Sequence, residues 1–149
     1  MQRSSSFHLW TNRTFAAVEP PVQVLIVDDD RNVADALGRA LELDGMRVTT
    51  AYDGAEAIRP VQRLTPHVVI LDVQMPHAGG FKVARALRTW RRFDPIPIIA
   101  HTLLPEREIM DRGRAVQMDA YCRKGKSAHS LLKLIELVAP APALSRKTE

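Results

Sequence analysis

Short apolar runs alternate with segments of helical periodicity along most of this chain, and this alternation constrains its fold more than any other feature. Residues 24–27 form a run rich in branched side chains, and Val33, Leu37 and Leu41 then recur at helical spacing before Gly45. The same order recurs four more times. Strands are therefore predicted at 24–27, 48–51, 68–71, 96–100 and 120–123, and helices at 33–41, 55–64, 81–90, 106–116 and 131–138, the second shortened or kinked by Pro60.

The predicted strands are continuous apolar runs, which indicates that both faces of the sheet are buried. The alternation of strand and helix also implies parallel strands that are joined by right-handed crossovers. The predicted fold is therefore a doubly wound α/β sandwich with five strands and five helices. In such sheets the active crevice lies beyond the carboxyl ends of the strands, near the point where the strand order reverses. Function is expected in the residues that end each strand.

Length and composition favour one domain and no membrane span. A chain of 149 residues accommodates one core of ordinary size, and no apolar run approaches the roughly eighteen residues of a membrane-spanning helix. The sole cysteine, Cys122, cannot form an internal disulfide, which fits a reducing, cytoplasmic location. Residues 1–21 lack a sustained period and are predicted to be a disordered or extended leader outside the fold. Residues 22–138 are predicted to form the domain, and residues 139–149 a tail.

The formal charge of +4 raises the question of nucleic-acid binding, because clustered Lys and Arg residues neutralise phosphates. Most of the basic residues are scattered, which argues against that function. The densest group is interpreted as a solvated helix face, with docking on an acidic partner as the alternative; it consists of Arg85, Arg88, Arg91 and Arg92. Neither a nucleic-acid partner nor a membrane partner is expected.

Four aspartates follow two of the predicted strands. Asp28, Asp29 and Asp30 come directly after the first strand, and Asp72 comes after the third. Consecutive carboxylates repel one another, and a hard divalent cation relieves that repulsion. Mg²⁺ is the expected cofactor because it prefers oxygen ligands and is completed by water and phosphate oxygens. Asp30 is interpreted instead as the N-cap of the first helix.

A hydroxyl group and an ammonium group reach the same rim from the last two strands. Thr102 follows the fourth predicted strand, and the fifth runs into Lys124. Together with a carboxylate and a cation, these groups would surround an anion on several sides, which suits a phosphoryl group. Each residue alone is weak evidence, since such a Thr is more often a helix cap and a lone Lys is more often solvated. Their joint placement carries the prediction.

Four sequence blocks at these strand ends resemble a known family. VLIVDDD, LDVQMPHAGG, PIIAHT and AYCRKG are similar, in order and separation, to the signature blocks of response-regulator receiver domains of the chemotaxis-regulator type. The resemblance covers about residues 22–138. It implies a flavodoxin-like fold, with a five-stranded parallel sheet in a three-layer sandwich. It also implies that the chain is a single-domain response regulator of a two-component phosphorelay.

The resemblance implies a role for each acidic group. Asp72 would be the phosphoacceptor. Mg²⁺ would be bound directly by Asp29, Asp72 and the backbone carbonyl of Gln74, and Asp28 would hold a metal-bound water. A carboxylate is a competent nucleophile towards phosphorus once cations screen its repulsion from the phosphoryl oxygens.

Three further residues are implied to respond to the phosphoryl group. Thr102 would bond a phosphoryl oxygen, Lys124 would pair with Asp72 or its phosphate, and Tyr121 would swing inward as Thr102 moves. The face made by the fourth helix, fifth strand and fifth helix would shift between two arrangements and contact a downstream protein. The implied phosphodonor is a histidine kinase or a histidine phosphotransfer protein. The domain would assist only its own phosphorylation and dephosphorylation, so it is not expected to be an enzyme.

Two departures from the family pattern bear on the rate of these reactions. Gly125 follows Lys124 where the family usually has proline, so the cis peptide bond that commonly orients this turn is not expected to be retained. Leu103 follows Thr102 where a small residue is usual. Its bulk is expected to narrow access to the aspartyl phosphate and to slow its formation, its hydrolysis or both.

Two alternatives stay open. A receiver-like docking module that acts without phosphorylation is consistent with Leu103 and Gly125. A phosphatase of the haloacid-dehalogenase type also begins with a strand that runs into Asp-x-Asp, here Asp28 and Asp30, but Asn32 stands where that family has Thr or Val. The aspartate that takes up phosphate distinguishes these alternatives from a receiver.

Overall fold

The computed structural model of the chain describes residues 6–61, 63–76, 79–125 and 127–143. The strands are β1 (Phe7–Leu9), β2 (Gln23–Val27), β3 (Arg47–Ala51), β4 (Val68–Leu71), β5 (Ile98–Thr102) and β6 (Ala120–Arg123). The helices are α1 (Arg31–Leu43), α2 (Gly54–Val61), α3 (Gly79–Arg88), α4 (Glu106–Ala115) and α5 (His129–Val138), with a 3₁₀ turn at Arg91–Phe93. Within these ranges, no helix has both the length and the apolar character that crossing a bilayer would require.

A single sheet in the order β1-β6-β5-β4-β2-β3 forms the centre of the molecule. Strands β2 to β6 pair in parallel, in the flavodoxin-like arrangement, and β1 pairs antiparallel with β6 at one edge. Helices α1 and α5 cover one face of the sheet, and α2, α3 and α4 cover the other. The predicted doubly wound α/β fold is confirmed, with a sixth, antiparallel strand added to the five parallel strands expected.

The parallel strands are apolar on both sides because each side meets a layer of helices. In β2, Leu25 and Val27 pack beneath α2, α3 and α4, whereas Val24 and Ile26 pack beneath α1 and α5. All four side chains are at most 2% exposed. Burial of a side chain of this size contributes about 1.5 to 3 kcal/mol, so the alternating sides of one strand hold both helical layers to the sheet.

Some element boundaries differ from those predicted. Helix α2 contains Pro60 and ends at Val61, three residues before the predicted end, which is the shortening expected from a missing backbone donor. Strand β5 extends through Thr102, so that residue lies within the strand and not after it. Helix α3 ends at Arg88, and Trp90 instead precedes the 3₁₀ turn.

The N-terminal segment differs most from the expectation. Residues 1–21 were expected to lie outside the fold, yet from Ser6 onward they are described, and Phe7–Leu9 forms strand β1 against β6. Trp10 is only 6% exposed and belongs to the core. Val18 N donates to Pro140 O at 2.8 Å, so the predicted leader and the start of the predicted tail contact each other. Residues 1–5 and 144–149 lie outside the described residues.

Candidate functional site

The acidic residues follow β2 and β4, the two strands between which the strand order reverses. Asp28 N donates to Ala51 O at 3.0 Å, and Asp72 N donates to Val27 O at 2.9 Å. The backbone hydrogen bonding of the sheet therefore extends one residue beyond each strand and orders both aspartates. This is the rim at which the sequence predicts the functional groups.

Three carboxylates meet at this rim. One oxygen from each of Asp28, Asp29 and Asp72 lies within 4.8 Å of the others, with Asp28 and Asp72 buried and Asp29 exposed. Asp30 points elsewhere, since its Oδ1 accepts from Val33 N at 3.2 Å and caps α1. The interpretation of Asp30 as an N-cap is confirmed, and the other three predicted acids form one cluster.

The geometry of this cluster fits Mg²⁺. Two ligand oxygens on opposite sides of Mg²⁺ lie about 4.2 Å apart, given a metal–oxygen distance of about 2.1 Å. The three carboxylate oxygens lie within 4.8 Å of one another, so two of them can bind one ion directly and the third, from Asp28, can bind it through a water. All three donors are carboxylate oxygens, the ligand type that this ion prefers.

Lys124 brings a positive charge to the cluster. Its Nζ lies 2.7 Å from Asp28 Oδ2 and 3.3 Å from Asp72 Oδ2, and its backbone N donates to Thr102 O at 2.8 Å. Burial alone would lower the pKa of Lys124, but its contacts with the two aspartates outweigh burial and raise that pKa. Lys124 is therefore held as a cation across both buried carboxylates, where only a contact with Asp72 was expected.

Asp72 has mixed surroundings. Burial raises the pKa of its carboxyl group above the ordinary value, and the charge of Asp28 raises it further. The Gln74 N–H, which donates to the carboxylate at 2.9 Å, and the charge of Lys124 lower this pKa.

Gly80 lies against the backbone at Asp72, and a Cβ there would overlap Asp72 O and come within 2.8 Å of Val73 Cα. Only glycine lets α3 approach this closely, and this requirement cannot be predicted from the strand and helix pattern of the sequence.

Thr102 and Tyr121 are linked through Leu104. Thr102 is fully buried; its Oγ1 accepts from Leu104 N at 3.1 Å and donates to Gln74 Oε1 at 3.5 Å. The Tyr121 hydroxyl donates to Leu104 O at 2.8 Å, and its ring is 3% exposed. Tyr121 therefore lies inward, and the short segment after β5 connects its hydroxyl to that of Thr102.

The two departures from the family pattern have local outcomes. Leu103 is 63% exposed and borders a groove between α1 and α5. The cleft of about 300 Å³ beside Asp29 is lined instead by residues that include Tyr52, Met75 and Pro76. Within the described ranges the only cis peptide bond joins Pro20 and Pro21, so the Lys124–Gly125 bond is trans.

A buried ion-pair network at the opposite, amino-terminal edge of the sheet corrects one interpretation. Arg88, expected on a solvated helix face, has a side chain only 7% exposed and lies 2.9 Å from Asp119 Oδ2. Asp119 also accepts from Arg13 at 2.9 Å and from Ile98 N at 2.9 Å. Neither this network nor the burial of Trp10 could be found from periodicity, because the partners are far apart in the sequence.

Comparison with known proteins points to one family. A model described as "Response regulator receiver domain" matches residues 24–136. The chain is 37% identical over 128 residues to the response regulator MprA of Mycobacterium sp. (strain KMS), covering 86% of this chain and 52% of that protein. It is 36% identical over 127 residues to the transcriptional regulatory protein PrrA of Mycobacterium leprae, covering 84% and 50%. The chain thus spans about half the length of the curated relatives it matches.

Solved structures give the same result. The chemotaxis protein CheY4 of Vibrio cholerae superposes with a TM-score of 0.76 at 32% identity, covering 78% of this chain and 98% of that one. The response regulator TrrA of Thermotoga maritima, solved in complex with Mg²⁺ and beryllofluoride, superposes with a TM-score of 0.68 at 26% identity, covering 78% and 98%.

Proposed function

The chain belongs to the response-regulator receiver domains of two-component signalling, and from that premise we propose that Asp72 accepts a phosphoryl group from a histidine kinase or a histidine phosphotransfer protein. One observation carries the proposal. Three carboxylates lie within 4.8 Å of one another, and the Lys124 ammonium group contacts two of them. A cluster of this charge and geometry suits an incoming phosphoryl group that is accompanied by a divalent cation.

In this proposal each group has one task. An oxygen of Asp72 attacks phosphorus, the new O–P bond forms as the N–P bond of the donor phosphohistidine breaks, and the imidazole leaves. Asp29, Asp72 and the Gln74 carbonyl would hold Mg²⁺, and Asp28 would hold it through a water. When bound, Mg²⁺ supplies positive charge that screens the repulsion between the carboxylate and the phosphoryl oxygens. The domain assists its own phosphorylation and dephosphorylation and has no other substrate.

Thr102 and Lys124 would receive the phosphoryl oxygens. The Thr102 hydroxyl accepts from Leu104 N at 3.1 Å and donates to Gln74 Oε1 at 3.5 Å. The donated contact is long, so a phosphoryl oxygen would replace Gln74 Oε1 as the acceptor of this proton. Lys124 already contacts Asp72 and can contact the phosphoryl oxygens once the group is transferred to that carboxylate. Tyr121 and Thr102 together would form the switch.

The response would pass to a downstream protein through the surface formed by α4, β6 and α5, called here the α4–β6–α5 face. Tyr121 lies in β6, and its hydroxyl is bonded to the loop that leads from Thr102 into α4. A change at Asp72 therefore has a direct physical route to this face. Signalling by protein contact, without nucleic acid, is part of the proposal. The relative PrrA is itself named a transcriptional regulatory protein, and this chain covers 50% of it.

Intact-mass analysis after incubation with acetyl phosphate and Mg²⁺ tests the proposal. We expect a gain of one phosphoryl group that is absent in Asp72→Asn and retained in Asp30→Asn, the matched acid at the same rim. No gain in the wild-type chain would favour the docking module. A gain that persists in Asp72→Asn and disappears in Asp28→Asn would favour the phosphatase.

A further inference from the structure

The N-terminal segment covers the exposed edge of β6. Phe7, His8 and Leu9 lie in register with Cys122, Tyr121 and Ala120. Backbone hydrogen bonds join the ends of the pairing, from Arg123 N to Ser6 O at 2.8 Å and from Trp10 N to Asp119 O at 2.7 Å. Part of the α4–β6–α5 face is therefore made by this segment.

Trp10 packs directly on Tyr121. The two rings are stacked, with centroids 6.0 Å apart and planes at 21°. The indole N–H donates to Glu106 Oε2 at 2.7 Å, and the other side of the indole lies so close to Gly113 that a Cβ there would overlap Trp10 Cζ3. The indole site is built from both α4 and β6.

This site is connected to the phosphorylation site by the loop at residues 103–105. The middle of the loop is held by the bond from the Tyr121 hydroxyl to Leu104 O, and Leu104 N holds Thr102 Oγ1. The far end of the loop is held at Glu106, which accepts from Trp10 and contacts His8 Nδ1 at 2.6 Å. Residues 8 and 10 thus hold the loop whose other end positions the Thr102 hydroxyl.

We propose that Trp10 is a positioning residue of the phosphorylation site, acting through Tyr121 and Leu104 to hold Thr102 ready for a phosphoryl oxygen. A hydroxyl that is already placed loses less freedom when the anion binds, so the segment should strengthen phosphoryl binding. The indole also fills the space beside the Tyr121 ring on the side of α4 and keeps the ring inward. This inference rests on the proposed function of Asp72.

Gly113→Ala tests the proposal without altering Asp72, its acidic neighbours or Thr102. Alanine favours the helix more than glycine does, but its Cβ displaces the indole. We expect the affinity for beryllofluoride with Mg²⁺ to fall about fivefold or more. Gly38→Ala in α1 is the matched control, because its Cβ would make ordinary contacts at 3.4 and 3.8 Å, and it should change the affinity by less than about twofold.

Two spectroscopic measurements accompany the measurement of beryllofluoride affinity. In a Trp90→Phe background, Trp10 is the only tryptophan of the chain, so a red shift of its emission reports displacement of the indole. Fluorine NMR of bound beryllofluoride reports occupancy of the site. Trp10→Phe keeps a ring on Tyr121 and should retain more affinity than Trp10→Ala.

Repeating the measurement in a second variant distinguishes a positioning role of Trp10 from a general effect on the stability of the fold. Tyr121→Phe lacks the hydroxyl that bonds Leu104 O, so Gly113→Ala should lose most of its effect on beryllofluoride affinity in that background. An equal loss in both backgrounds, or a displaced indole with unchanged affinity, would overturn the inference. Absence of bound beryllofluoride in the wild-type chain would instead count against the proposed function, and the inference would fall with it.

Discussion

Lys124 Nζ lies 2.7 Å from Oδ2 of Asp28, closer than it lies to the carboxylate of Asp72. The ammonium group therefore already neutralises part of the charge that makes the acidic cluster attractive to a divalent cation. Binding of Mg²⁺ has to compete with this resident cation, and both affinity and response should depend on their balance.

Replacement of Lys124 by methionine should tighten Mg²⁺ binding. The change removes a positive charge next to two carboxylates of the cluster, and a unit charge at about 4 Å is worth about 1 kcal/mol even in water. We expect the Mg²⁺ dissociation constant to fall several-fold, measured by titration calorimetry. Lys133→Met, at an exposed position of α5, should leave it unchanged. Weaker binding in the Lys124 variant would contradict the assignment of these acids to the metal.

Asp29→Asn should weaken Mg²⁺ binding by about tenfold or more, because the variant removes a charged ligand from a site with few protein donors. Asp29 is the exposed member of the cluster, so the fold should tolerate the change. Asp30→Asn is the matched control, since asparagine caps a helix as well as aspartate does. Equal Mg²⁺ affinity in both variants would show that Asp29 is not a ligand.

Asp119→Ala should lower the free energy of unfolding by about 3 to 5 kcal/mol, because it leaves the buried Arg88 guanidinium without its carboxylate. Ile98 N and Arg13 lose an acceptor at the same time. Urea denaturation measures the change. Asp111→Ala, at an exposed position of α4, should stay within about 0.5 kcal/mol of the wild-type chain. A comparably small effect at Asp119 would mean that the network adds little to stability.

His101 should make the fold sensitive to acid. Burial, reinforced by the charge of Lys124, lowers the pKa of His101 from 6.5 to about 4. Between those values the unfolded chain binds a proton that the folded protein does not bind, so stability falls as the pH drops from 6.5 to 4. The full loss of stability is about 3 kcal/mol, since a difference of one in pKa corresponds to about 1.36 kcal/mol.

Urea midpoints at pH 7 and pH 4.5 check this prediction. His101→Met should lose less stability between the two pH values than the wild-type chain does. His129→Gln, at an exposed position of α5, serves as the control and should keep the wild-type dependence. If His101→Met were as acid-sensitive as the wild-type chain, the loss would come from other groups.

The site residues could be predicted from the sequence because each lies within a strand or within three residues of its end. Asp28 and Asp72 follow runs of apolar residues, and Lys124 follows β6. Parallel strands bring such positions to one rim whatever the details of packing. The finer contacts could not be identified. The preference of Lys124 for Asp28 depends on side-chain geometry across β2 and β6, two strands that are not neighbours in the sheet.

By itself, the sequence determined the order of strands and helices, the parallel sheet and the acids at its carboxyl edge. Local periodicity and burial on two faces are sufficient for these features. Only the tertiary structure decided that residues 7–9 form a sixth strand and that Trp10 stacks on Tyr121. A three-residue edge strand is too short to show a period. Its backbone hydrogen bonds join residues more than one hundred positions apart, so the edge of β6 with which it pairs exists only in the folded sheet.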